Sequence, residues 1–444
     1  MPYGIQAASF YVPSLYLNMK DLALNRQLDP LKLEKGLGLH KMALADVNED
    51  AASFAAEALL KLIQDSGVNP KEISRIYLGT ESALDAAKPT ATYAMGMVEK
   101  VLEPTYGPRV FKNCDVVDMT FACIGAVDAL ENCMDYCRAD PSRKAVVIAS
   151  DYARYELGSS GEYTQGGGAV ALLLSNDPKL ITLEPTVGVA TRSVFDFFKP
   201  RHKISKSDLN GASDTMPDSL ELFSEEPVFD GQYSNACYQN QIKEAYEHFK
   251  EKTGKDKPYE NWRYLIFHLP YAFHGKRVFT EIYSAENGLS IETPEELKAV
   301  AKSPQYLSFI SEKIEPSQRA SSEIGNMYTA SVFMALLSAL QTSLNEGEEL
   351  EGKKIGFLAY GSGSKAKVFE GTISKEWKEV ARKWNLFDTL NKREAVSFET
   401  YEKLHRKQLT GSIAKPQGFS LESIELESPV LRGARYYQYV EREN

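Results

Sequence analysis

The sequence predicts an α/β protein built from two similar halves, and three observations lead to this prediction. Apolar β-type runs alternate with helical patterns along most of the 444 residues, as in βαβ architectures. Segments of the second half repeat the order of segments in the first half. The apolar runs end at glycine or polar residues, where α/β proteins place their ligands. We therefore expect two α/β halves that meet face to face, with a site where their strand ends converge.

The first half contains a regular series of predicted elements. The clearest is an Ala-rich helix, which ends at Gly67 and Pro70. A later helix follows Cys123, where Val127 and Leu130 recur at helical spacing. In chain order, the predicted elements are a strand at 3–12, a Lys- and Gly-containing loop at 31–39, a helix at 49–66, a strand at 73–78, a helix at 90–102, the helix after residue 123, a strand at 145–149 and a strand after the glycines at 166–168.

The second half repeats this series. The run 263–269 ends at a polar residue, as the run 76–81 does. Residues 323–344 combine a small-residue turn with an apolar helix, as the region around Cys123 does, and the run 354–359 leads into a glycine-rich turn. The domains we expect are an N-terminal half at 1–198, a polar insertion or linker at 199–235, a C-terminal half at 236–372 and a charged, peripheral extension at 373–444.

Composition and charge exclude several classes of function. With 43% apolar and 25% charged residues, the chain is typical of a globular protein. Its net charge of −10 argues against nucleic acid and anionic membranes as partners. Five cysteines without regular spacing do not make a disulfide framework, so we expect a reducing, cytoplasmic environment. We expect no secretory leader, no membrane-spanning segment and no metal site, because the corresponding sequence patterns are missing.

Cys123 lies where an apolar β-type run passes into a helical pattern. A thiol at such a junction faces the positive end of the helix macrodipole and unpaired backbone N–H groups, which favour the nucleophilic thiolate. Most free cysteines, however, are small buried apolar side chains. This stretch alone is compatible with both a nucleophile and a core residue.

Two other ionisable residues end apolar runs. Glu81 follows IYLGT, and a carboxyl group at a buried strand end has a raised pKa that suits a general base. An acid near a helix N-cap on an exposed turn fits the same pattern equally well. His268 lies within YLIFHLP, where a hydrogen-bonded core histidine is more frequent than a catalyst. The glycine turns at 166–168 and 360–364 lack a nucleotide-binding fingerprint, so they are tight turns or points of close approach to a ligand.

Taken together, these segments resemble the hydroxymethylglutaryl-CoA synthase family of the thiolase superfamily. The resemblance extends from about residue 3 to about residue 400. The matching motifs occur in the order of the family, which makes the resemblance specific. They are KGLGLHKMAL, GTESALDAAKP, DMTFACIGA, SDYARYELGSSGEYTQGGGAVALLLS, VFDFFKP, FHLPYAFHGKR, GNMYTAS and YGSGS.

The resemblance implies a fold and a reaction. The fold is the duplicated thiolase-like α/β fold, with two βαβαβαββ halves in a five-layer αβαβα arrangement, usually as a homodimer. The reaction is the condensation of acetyl-CoA with acetoacetyl-CoA through an acetyl-cysteine. It releases 3-hydroxy-3-methylglutaryl-CoA and CoA in the mevalonate pathway to isoprenoids. CoA thioesters are then the substrates, and no separate cofactor is expected.

The resemblance also implies residue roles. Cys123 carries the acetyl group, Glu81 removes a proton from the acetyl methyl, and His268 positions acetoacetyl-CoA and polarises or protonates its carbonyl. The backbone N–H groups of Cys123 and Ser362 are the donors we expect to stabilise the developing enolate. Asp151 and Asp196 are expected to orient and tune these groups rather than to touch substrate. The further expected substrate-binding residues are Asn326, Tyr155, Ser362, Gly361, Pro270 and Thr164.

The phosphates of CoA require a local basic rim on this acidic protein. Lys276 and Arg277, together with Lys32 or Lys35 in the N-terminal loop, are the candidates. The chain departs from the family pattern at 272–273, where family members often have a lysine, so these phosphate contacts are the weakest part of the resemblance.

Glu81 discriminates between members of the superfamily. A decarboxylating 3-oxoacyl carrier-protein synthase needs no such carboxylate. A thiolase needs a second catalytic cysteine in its C-terminal half, whereas Cys237 lies ahead of the strand that carries His268. Two alternatives stay open: a β-branching synthase that acts on acetoacetyl groups carried by an acyl carrier protein in polyketide synthesis, and an inactive thiolase-fold structural subunit.

Overall fold

The computed structural model describes residues 2–211 and 213–442. The elements up to residue 175 are β1 (Gly4–Tyr11), β2 (Leu15–Asn18), α1 (Met19–Asn25), β3 (Lys41–Leu44), α2 (Ala51–Ser66), β4 (Ile73–Gly79), α3 (Thr90–Tyr106), β5 (Asp115–Met119), α4 (Gly125–Arg138), β6 (Lys144–Ala153) and β7 (Gly166–Ser175). Those up to residue 373 are β8 (Ile181–Thr191), β9 (Phe197–Phe198), β10 (Arg201–Ser205), β11 (Ser219–Phe223), β12 (Val228–Phe229), α5 (Gly231–Thr253), β13 (Trp262–Phe267), α6 (His274–Glu286), α7 (Pro294–Ala301), α8 (Pro304–Lys313), α9 (Glu315–Ile324), α10 (Ser331–Glu346), β14 (Lys354–Gly361) and β15 (Lys365–Ile373). The last elements are α11 (Trp377–Ala381), α12 (Leu386–Asn391), β16 (Glu394–Val396), α13 (Phe398–His405), β17 (Gly418–Ile424) and β18 (Arg435–Val440).

A nine-stranded sheet in the order β13-β14-β15-β8-β1-β7-β6-β4-β5 forms the centre of the molecule. The order β8-β15-β14-β13 repeats the order β1-β7-β6-β4, which confirms the predicted duplication. The two halves of the sheet join only at Gly4 and Ile5, which pair with Thr182 and Ile181. A Cβ on Gly4 would lie 2.0 Å from the carbonyl oxygen of Ile181, so this junction requires glycine.

Alternate side chains of the central strands enter two different cores. In β6, Val147 and Ala149 face the core that includes α4, whereas Val146 and Ile148 face the core that includes α2 and α3. In the second half, α5 packs on β8, β14 and β15, and α10 packs on β13. Helix α10 is buried from Ser331 to Ser343, which explains why its sequence is apolar and small on every face.

The start of α2 illustrates how local sequence sets an element. The Asp50 side chain accepts hydrogen bonds from the backbone N–H groups of Ala52 and Ser53, and the Ser53 hydroxyl accepts one from the backbone N–H of Asp50. This capping box stabilises the helix by about 1 kcal/mol. Gly67 ends the helix at a φ of +67°, a left-handed conformation that glycine adopts without strain. The predicted helix at 49–66 is therefore confirmed to within two residues.

The segment predicted as a polar insertion at 199–235 contains strands in its described residues. Strands β10 and β11 form an antiparallel hairpin, and β9 pairs with β12. The predicted boundary at residue 198 also differs from the sheet topology. Strand β8 makes its long ladder with β15, which groups it with the second half.

The C-terminal extension packs back onto the first half. Strand β16 pairs with β2, and the hairpin β17–β18 packs against α2 and α3. Phe419 and Tyr437 of this hairpin are buried, and Glu57 of α2 accepts a hydrogen bond from the backbone N–H of Phe419 at 2.6 Å. The extension is therefore part of the folded core, in contrast to the peripheral position predicted from its charge.

None of the helices within 2–211 and 213–442 is both long and apolar enough to cross a membrane. All five cysteines are unpaired, and Cys123, Cys133, Cys137 and Cys237 are buried. Over the same described ranges, the acidic, histidine and cysteine side chains form no group that could hold a metal ion.

Candidate active site

The strand ends of the two halves meet around one cavity. Its volume is about 640 Å³, and its lining includes Cys123 from the first half together with His268, Asn326 and Ser362 from the second half. We call it the cysteine cavity. The structure therefore brings together residues that lie up to 239 positions apart, between Cys123 and Ser362. The predicted site at converging strand ends is present as a physical cavity.

Cys123 occupies a tight turn immediately before α4. Its φ of +56° lies in the left-handed region, which a non-glycine residue adopts only where its surroundings hold it there. Two glycines permit this arrangement. A Cβ on Gly361 would lie 2.0 Å from the carbonyl oxygen of Ala122, and a Cβ on Gly79 would lie 2.1 Å from the backbone nitrogen of Ala126. The thiol is thus presented at the cavity wall by close backbone packing.

The ionisation of Cys123 differs from the sequence-based expectation. Burial raises the pKa of the thiol well above its usual value, and the nearby carboxyl groups of Glu81 and Asp151 raise it further. The start of α4 acts in the opposite direction, but burial and two acidic neighbours outweigh it. Cys123 is therefore a thiol in the resting protein and needs a base to become a nucleophile.

Glu81 is buried beside the Cys123 turn. Burial raises the pKa of its carboxyl group, with a further increase from Asp151, whereas Lys199 and the backbone N–H of Cys123 lower it. The Glu81 carboxylate lies 3.9 Å from the ammonium of Lys199. Glu81 lines a second cavity of about 480 Å³ rather than the cysteine cavity, together with Lys199, Arg154 and Glu225. We call this the glutamate cavity.

Asp151 connects the turn that carries Glu81 to the second half of the molecule. One carboxylate oxygen accepts hydrogen bonds from the backbone N–H of Glu81 at 2.8 Å and from the hydroxyls of Thr80 and Ser82, each at 2.9 Å. The other accepts one from the backbone N–H of Thr329 at 3.1 Å. Asp151 is fully buried, so these bonds fix the position of Glu81 without contact to the cysteine cavity.

His268 lines the cysteine cavity as a neutral imidazole. Burial lowers its pKa to about 3. Its Nδ1 lies 2.5 Å from Oγ of Ser331, which accepts a hydrogen bond from the backbone N–H of Leu269 at 3.1 Å. Because one of the two acceptor positions of this oxygen is then occupied, we assign its hydroxyl hydrogen to Nδ1, an assignment that places the ring proton on Nε2. The histidine then offers a hydrogen-bond donor to a ligand.

The other predicted substrate-binding residues lie around the same cavity. The side-chain oxygen of Asn326 accepts a hydrogen bond from the backbone N–H of Tyr328 at 2.8 Å, and the backbone N–H of Asn326 donates to the carbonyl of Thr164 at 2.9 Å. Tyr155 packs edge-on against Phe197, Phe229 and Tyr328, with ring centroids 5.2 to 6.3 Å apart. Asn326, Thr164 and Tyr155 all line the cysteine cavity, as Pro270 does.

Asp196 supports the glycine-rich turn at 360–364 from behind. It accepts hydrogen bonds from the hydroxyl of Tyr360 at 2.6 Å and from the backbone N–H of Gly363 at 2.8 Å. Asp196 is fully buried, whereas Ser362 of the same turn lines the cysteine cavity. The carboxylate therefore holds in place the turn that contains Ser362.

The residues predicted to bind the phosphates of CoA occupy different positions around the cysteine cavity. Arg277 lines the cysteine cavity and donates a hydrogen bond to the carbonyl of Gly36, which joins the two segments that were expected to bind phosphate. Lys35 is exposed in the adjoining 32–37 turn, as Lys32 is. The Lys276 ammonium instead lies 3.3 Å from the ring centroid of Phe273, and Lys276 does not line the cavity.

Sequence reasoning missed several residues of the site. Lys199 lies in the quoted segment VFDFFKP, where a lysine after four apolar or aromatic positions was the available signal. His274 lies in FHLPYAFHGKR; both of its ring nitrogens are buried without a hydrogen-bond partner, and it lines the cysteine cavity. His405 of α13, from the extension, lies 2.9 Å from the carbonyl of Tyr155. No local pattern indicates this last contact.

Comparison with known proteins gives one consistent family. The models for the N-terminal and C-terminal parts of hydroxymethylglutaryl-coenzyme A synthase match residues 2–179 and residues 186–284 with 275–414. The hydroxymethylglutaryl-CoA synthase of Haloferax volcanii is 31% identical over 431 residues, covering 90% of this chain and 91% of the relative. A solved structure of MvaS in complex with 3-hydroxy-3-methylglutaryl coenzyme A is 32% identical with a TM-score of 0.83, covering 99% of both chains. The hydroxymethylglutaryl synthase of the curacin biosynthetic pathway, 22% identical with a TM-score of 0.78 and covering 99% of this chain and 100% of that chain, shares the fold.

Proposed function

The chain belongs to the hydroxymethylglutaryl-CoA synthase family, and on that premise we propose that it condenses acetyl-CoA with acetoacetyl-CoA. The products are 3-hydroxy-3-methylglutaryl-CoA and CoA, and the reaction forms a carbon–carbon bond of the mevalonate pathway. The observation that carries this proposal is the position of Cys123 and Glu81 in one buried cluster, with neutral His268 in the same cavity as Cys123. An acyltransferase of this kind needs a nucleophile, a base and a proton donor at one place.

The first step is acetylation of Cys123. The sulfur attacks the thioester carbonyl of acetyl-CoA, the carbon–sulfur bond to CoA breaks, and the thiol proton leaves with the CoA thiol. Because the pKa of the thiol is raised, the proton must be removed during attack, and the raised pKa of Glu81 makes its carboxylate a suitable acceptor. The backbone N–H groups of Cys123 and Ser362 are proposed to stabilise the oxyanion.

The second step forms the new carbon–carbon bond. Glu81 removes a proton from the acetyl methyl, and the resulting enolate attacks the ketone carbon of acetoacetyl-CoA. The Nε2–H of His268 donates a hydrogen bond to the developing alkoxide, and the proton that Glu81 took from the methyl is returned to that oxygen, so that both groups regain their starting forms. A neutral imidazole suits this role, since the pKa of His268 is lowered to about 3 and a hydrogen bond from Ser331 sets its tautomer.

The third step releases the product. Water adds to the thioester that links the condensed acyl group to Cys123, the carbon–sulfur bond breaks, and the free carboxylic acid leaves with the CoA portion still attached. The proton from water returns the cysteine to its thiol form. Glu81 can take this proton from the attacking water and pass it to the sulfur, because its carboxyl group lies beside Cys123.

Substrate binding is proposed to divide between two parts of the cysteine cavity. Asn326, Tyr155 and Thr164 hold the acetoacetyl and acetyl groups at the inner end. Arg277 and Lys35 provide positive charge for the phosphates of CoA at the mouth, with Lys276 nearby in sequence. CoA thioesters are the substrates in this scheme. We further propose a cytoplasmic homodimer without other cofactors.

The test is a labelling experiment on the full chain. We expect radiolabelled acetyl-CoA to label Cys123, as mapped by intact mass and peptide mass, and the Cys123→Ser variant to stay unlabelled. Addition of acetoacetyl-CoA should discharge the label into hydroxymethylglutaryl-CoA. Discharge only by an acetoacetyl acyl carrier protein would assign the β-branching reaction instead. Absence of label would favour an inactive structural subunit.

A further inference from the structure

Lys199 is a buried cation placed directly against Glu81. It follows β9, and its ammonium lies 3.9 Å from a carboxylate oxygen of Glu81 and donates a hydrogen bond to the Glu81 backbone carbonyl at 3.3 Å. The ammonium also lies 4.9 Å from the ring centroid of Tyr328. The side chains of Lys199 and Glu81 are only 9% and 6% exposed. This pair is therefore shielded from the water that weakens surface ion pairs.

Apart from the backbone N–H of Cys123, which lowers the pKa of Glu81, the other groups facing the carboxylate do not favour its charged form. Asp151 raises that pKa, and Tyr155 and Tyr328 are buried phenols with raised pKa values. Both Glu81 carboxylate oxygens are buried without a hydrogen-bond partner. A carboxylate in such surroundings takes up a proton unless an opposite charge is close.

The other cations that line the glutamate cavity are paired with different acids. Arg154 lies 2.7 Å and Lys407 3.5 Å from the carboxylate of Glu225. Arg435 lies 3.3 Å from the carboxylate of Asp50. None of these cations is placed against Glu81 as Lys199 is.

The uncharged and acidic groups on the remaining wall of the glutamate cavity are satisfied by other partners. Asp46 accepts hydrogen bonds from the backbone N–H groups of Ile413 and Ala414, at 2.8 and 2.9 Å. Glu49 accepts a hydrogen bond from the hydroxyl of Tyr11. His405 faces the carbonyl of Tyr155. These contacts leave Lys199 as the cation whose charge acts on Glu81.

We propose that Lys199 is a positioning residue that favours the charged form of Glu81 and holds its turn in place, so that the carboxylate can act as the base for the acetyl methyl. The inference rests on the proposed function. An ammonium close to a buried carboxylate stabilises the charged form, and removing one partner of a buried pair leaves the other uncompensated. Without Lys199, Glu81 keeps its proton to higher pH, so a smaller fraction of the enzyme has a carboxylate that can take a proton from the substrate at neutral pH.

The test compares pH profiles of the condensation rate in variants of the full-length enzyme. Lys199→Gln can still donate a hydrogen bond to the Glu81 carbonyl but has no charge, and Lys199→Met has neither. Lys199→Arg keeps the charge. The matched control is Lys407→Gln, because Lys407 lines the same cavity but pairs with Glu225 and its side chain is 69% exposed.

We expect the acid limb of kcat/KM to move to higher pH by about 1 unit in Lys199→Gln, since an adjacent opposite charge lowers a carboxyl pKa by about 1 to 3 units. The rate at neutral pH then falls about tenfold and recovers in alkaline buffer. Lys199→Arg should restore most of the wild-type profile, and Lys407→Gln should match the wild type. The exchange of the acetyl methyl protons with deuterated solvent should slow over the same pH range as the condensation.

Three outcomes would overturn the inference. These are an acid limb that stays in place in folded Lys199→Gln and Lys199→Met, a limb that moves to lower pH, and Lys199→Arg being as impaired as Lys199→Gln. Thermal melting of each variant establishes that it is folded. If the uncharged variants do not fold, the pH profile of Lys199→Arg is compared with that of the wild type. An acid limb of Lys199→Arg that lies at a different pH then contradicts the inference. A wild-type enzyme that does not condense the two CoA thioesters would instead count against the proposed function.

Discussion

Cys123, Glu81 and His268 are all buried, and burial shifts each of them toward its neutral form. It raises the pKa of the thiol and of the carboxyl group, and it lowers the pKa of the imidazole. The sequence-based argument from the helix start led to a thiolate at Cys123, because a local pattern contains the helix but not the surrounding burial or the two carboxyl groups. The proposed reaction therefore depends on proton transfers that involve these three groups.

The contact between Ser331 and His268 leads to a first prediction at this scale. Ser331→Ala removes the donor to Nδ1, so the neutral imidazole can place its proton on either nitrogen, and the donor to the alkoxide is no longer assured. We expect acetylation of Cys123 to continue while condensation slows about tenfold or more, given about 1 to 3 kcal/mol for such a bond. Single-turnover measurement of both steps checks this.

The control for this variant is Ser338→Ala on the same helix. Ser338 is also buried, but its hydroxyl bonds to the carbonyl of Pro316 at 2.8 Å and the backbone N–H of Ala320 at 3.1 Å. It should slow neither step selectively. Equal loss of acetylation and condensation in Ser331→Ala would contradict the assigned tautomer.

His274 provides a second prediction, on stability and pH. Burial between Tyr238 and Tyr271 lowers its pKa to about 3, and neither ring nitrogen has a partner. The folded pKa lies below the unfolded value of about 6.5, so the unfolded state binds more protons as the pH falls below that value. The free energy of unfolding therefore falls as the pH is lowered below ~6.5.

We expect His274→Met to raise the free energy of unfolding by about 1 to 3 kcal/mol at neutral pH, because it removes an unsatisfied buried polar group. The gain should be larger at pH ~5 than at pH ~7.5. Thermal melts at the two values measure it. His202→Met, at an exposed histidine, should show no such difference, and an equal gain at both values in His274→Met would contradict the argument.

At the scale of elements, close backbone approaches position the catalytic groups. The end of β14 touches the Cys123 turn through Gly361, and the end of β4 touches the start of α4 through Gly79. The strand and helix patterns were visible in the sequence, and the glycine turn at 360–364 was identified as a possible point of close approach to a ligand. The sequence does not show which backbone segment approaches each glycine. These contacts form only when the two halves assemble, because the partners lie far apart in the chain.

Gly361→Ala supplies the prediction for this scale. The added Cβ would lie 2.0 Å from the carbonyl oxygen of Ala122, a backbone atom that can move only with the Cys123 turn. We expect acetylation of Cys123 by acetyl-CoA to fall about 100-fold or more, since small misplacements of reacting groups have effects of this size. Intact mass after timed incubation measures it.

Gly96→Ala is the matched control, because Gly96 lies in α3 and its added Cβ meets no atom within 4 Å. It should leave acetylation unchanged and stabilise the helix by about 0.5 to 1 kcal/mol. A Gly361→Ala protein that is acetylated at the wild-type rate would show that the turn tolerates displacement.

At the scale of the whole molecule, the insertion and the extension contribute lining residues to the two cavities. Phe229 lines the cysteine cavity, and Glu225, His405 and Arg435 line the glutamate cavity. The hairpin β17–β18 covers α2 through Phe419 and Tyr437. These segments are polar and charged in sequence, so composition placed them outside the core. Their few apolar side chains carry the packing.

Tyr437 and Tyr436 are neighbours that test this packing. Tyr437 is 7% exposed and donates a hydrogen bond to Asp50 at 2.6 Å, whereas Tyr436 is 42% exposed. We expect Tyr437→Ala to lower the free energy of unfolding by about 3 kcal/mol, and Tyr436→Ala by less than about 0.5 kcal/mol. Denaturant midpoints measure both. Similar midpoints for the two variants would mean that the hairpin does not stabilise the fold.

The sequence alone determined the duplicated α/β architecture, the order of its elements and the identity of Cys123, Glu81 and His268 as candidates. Hydrophobic periodicity, turn residues and ordered motifs are local, so one chain contains them fully. Tertiary structure alone decided the thiol form of Cys123, the partners of His268, the contact of Lys199 with Glu81 and the inclusion of the extension in the site. These features depend on burial and on distances between residues remote in the chain, which form only when the two halves pack together.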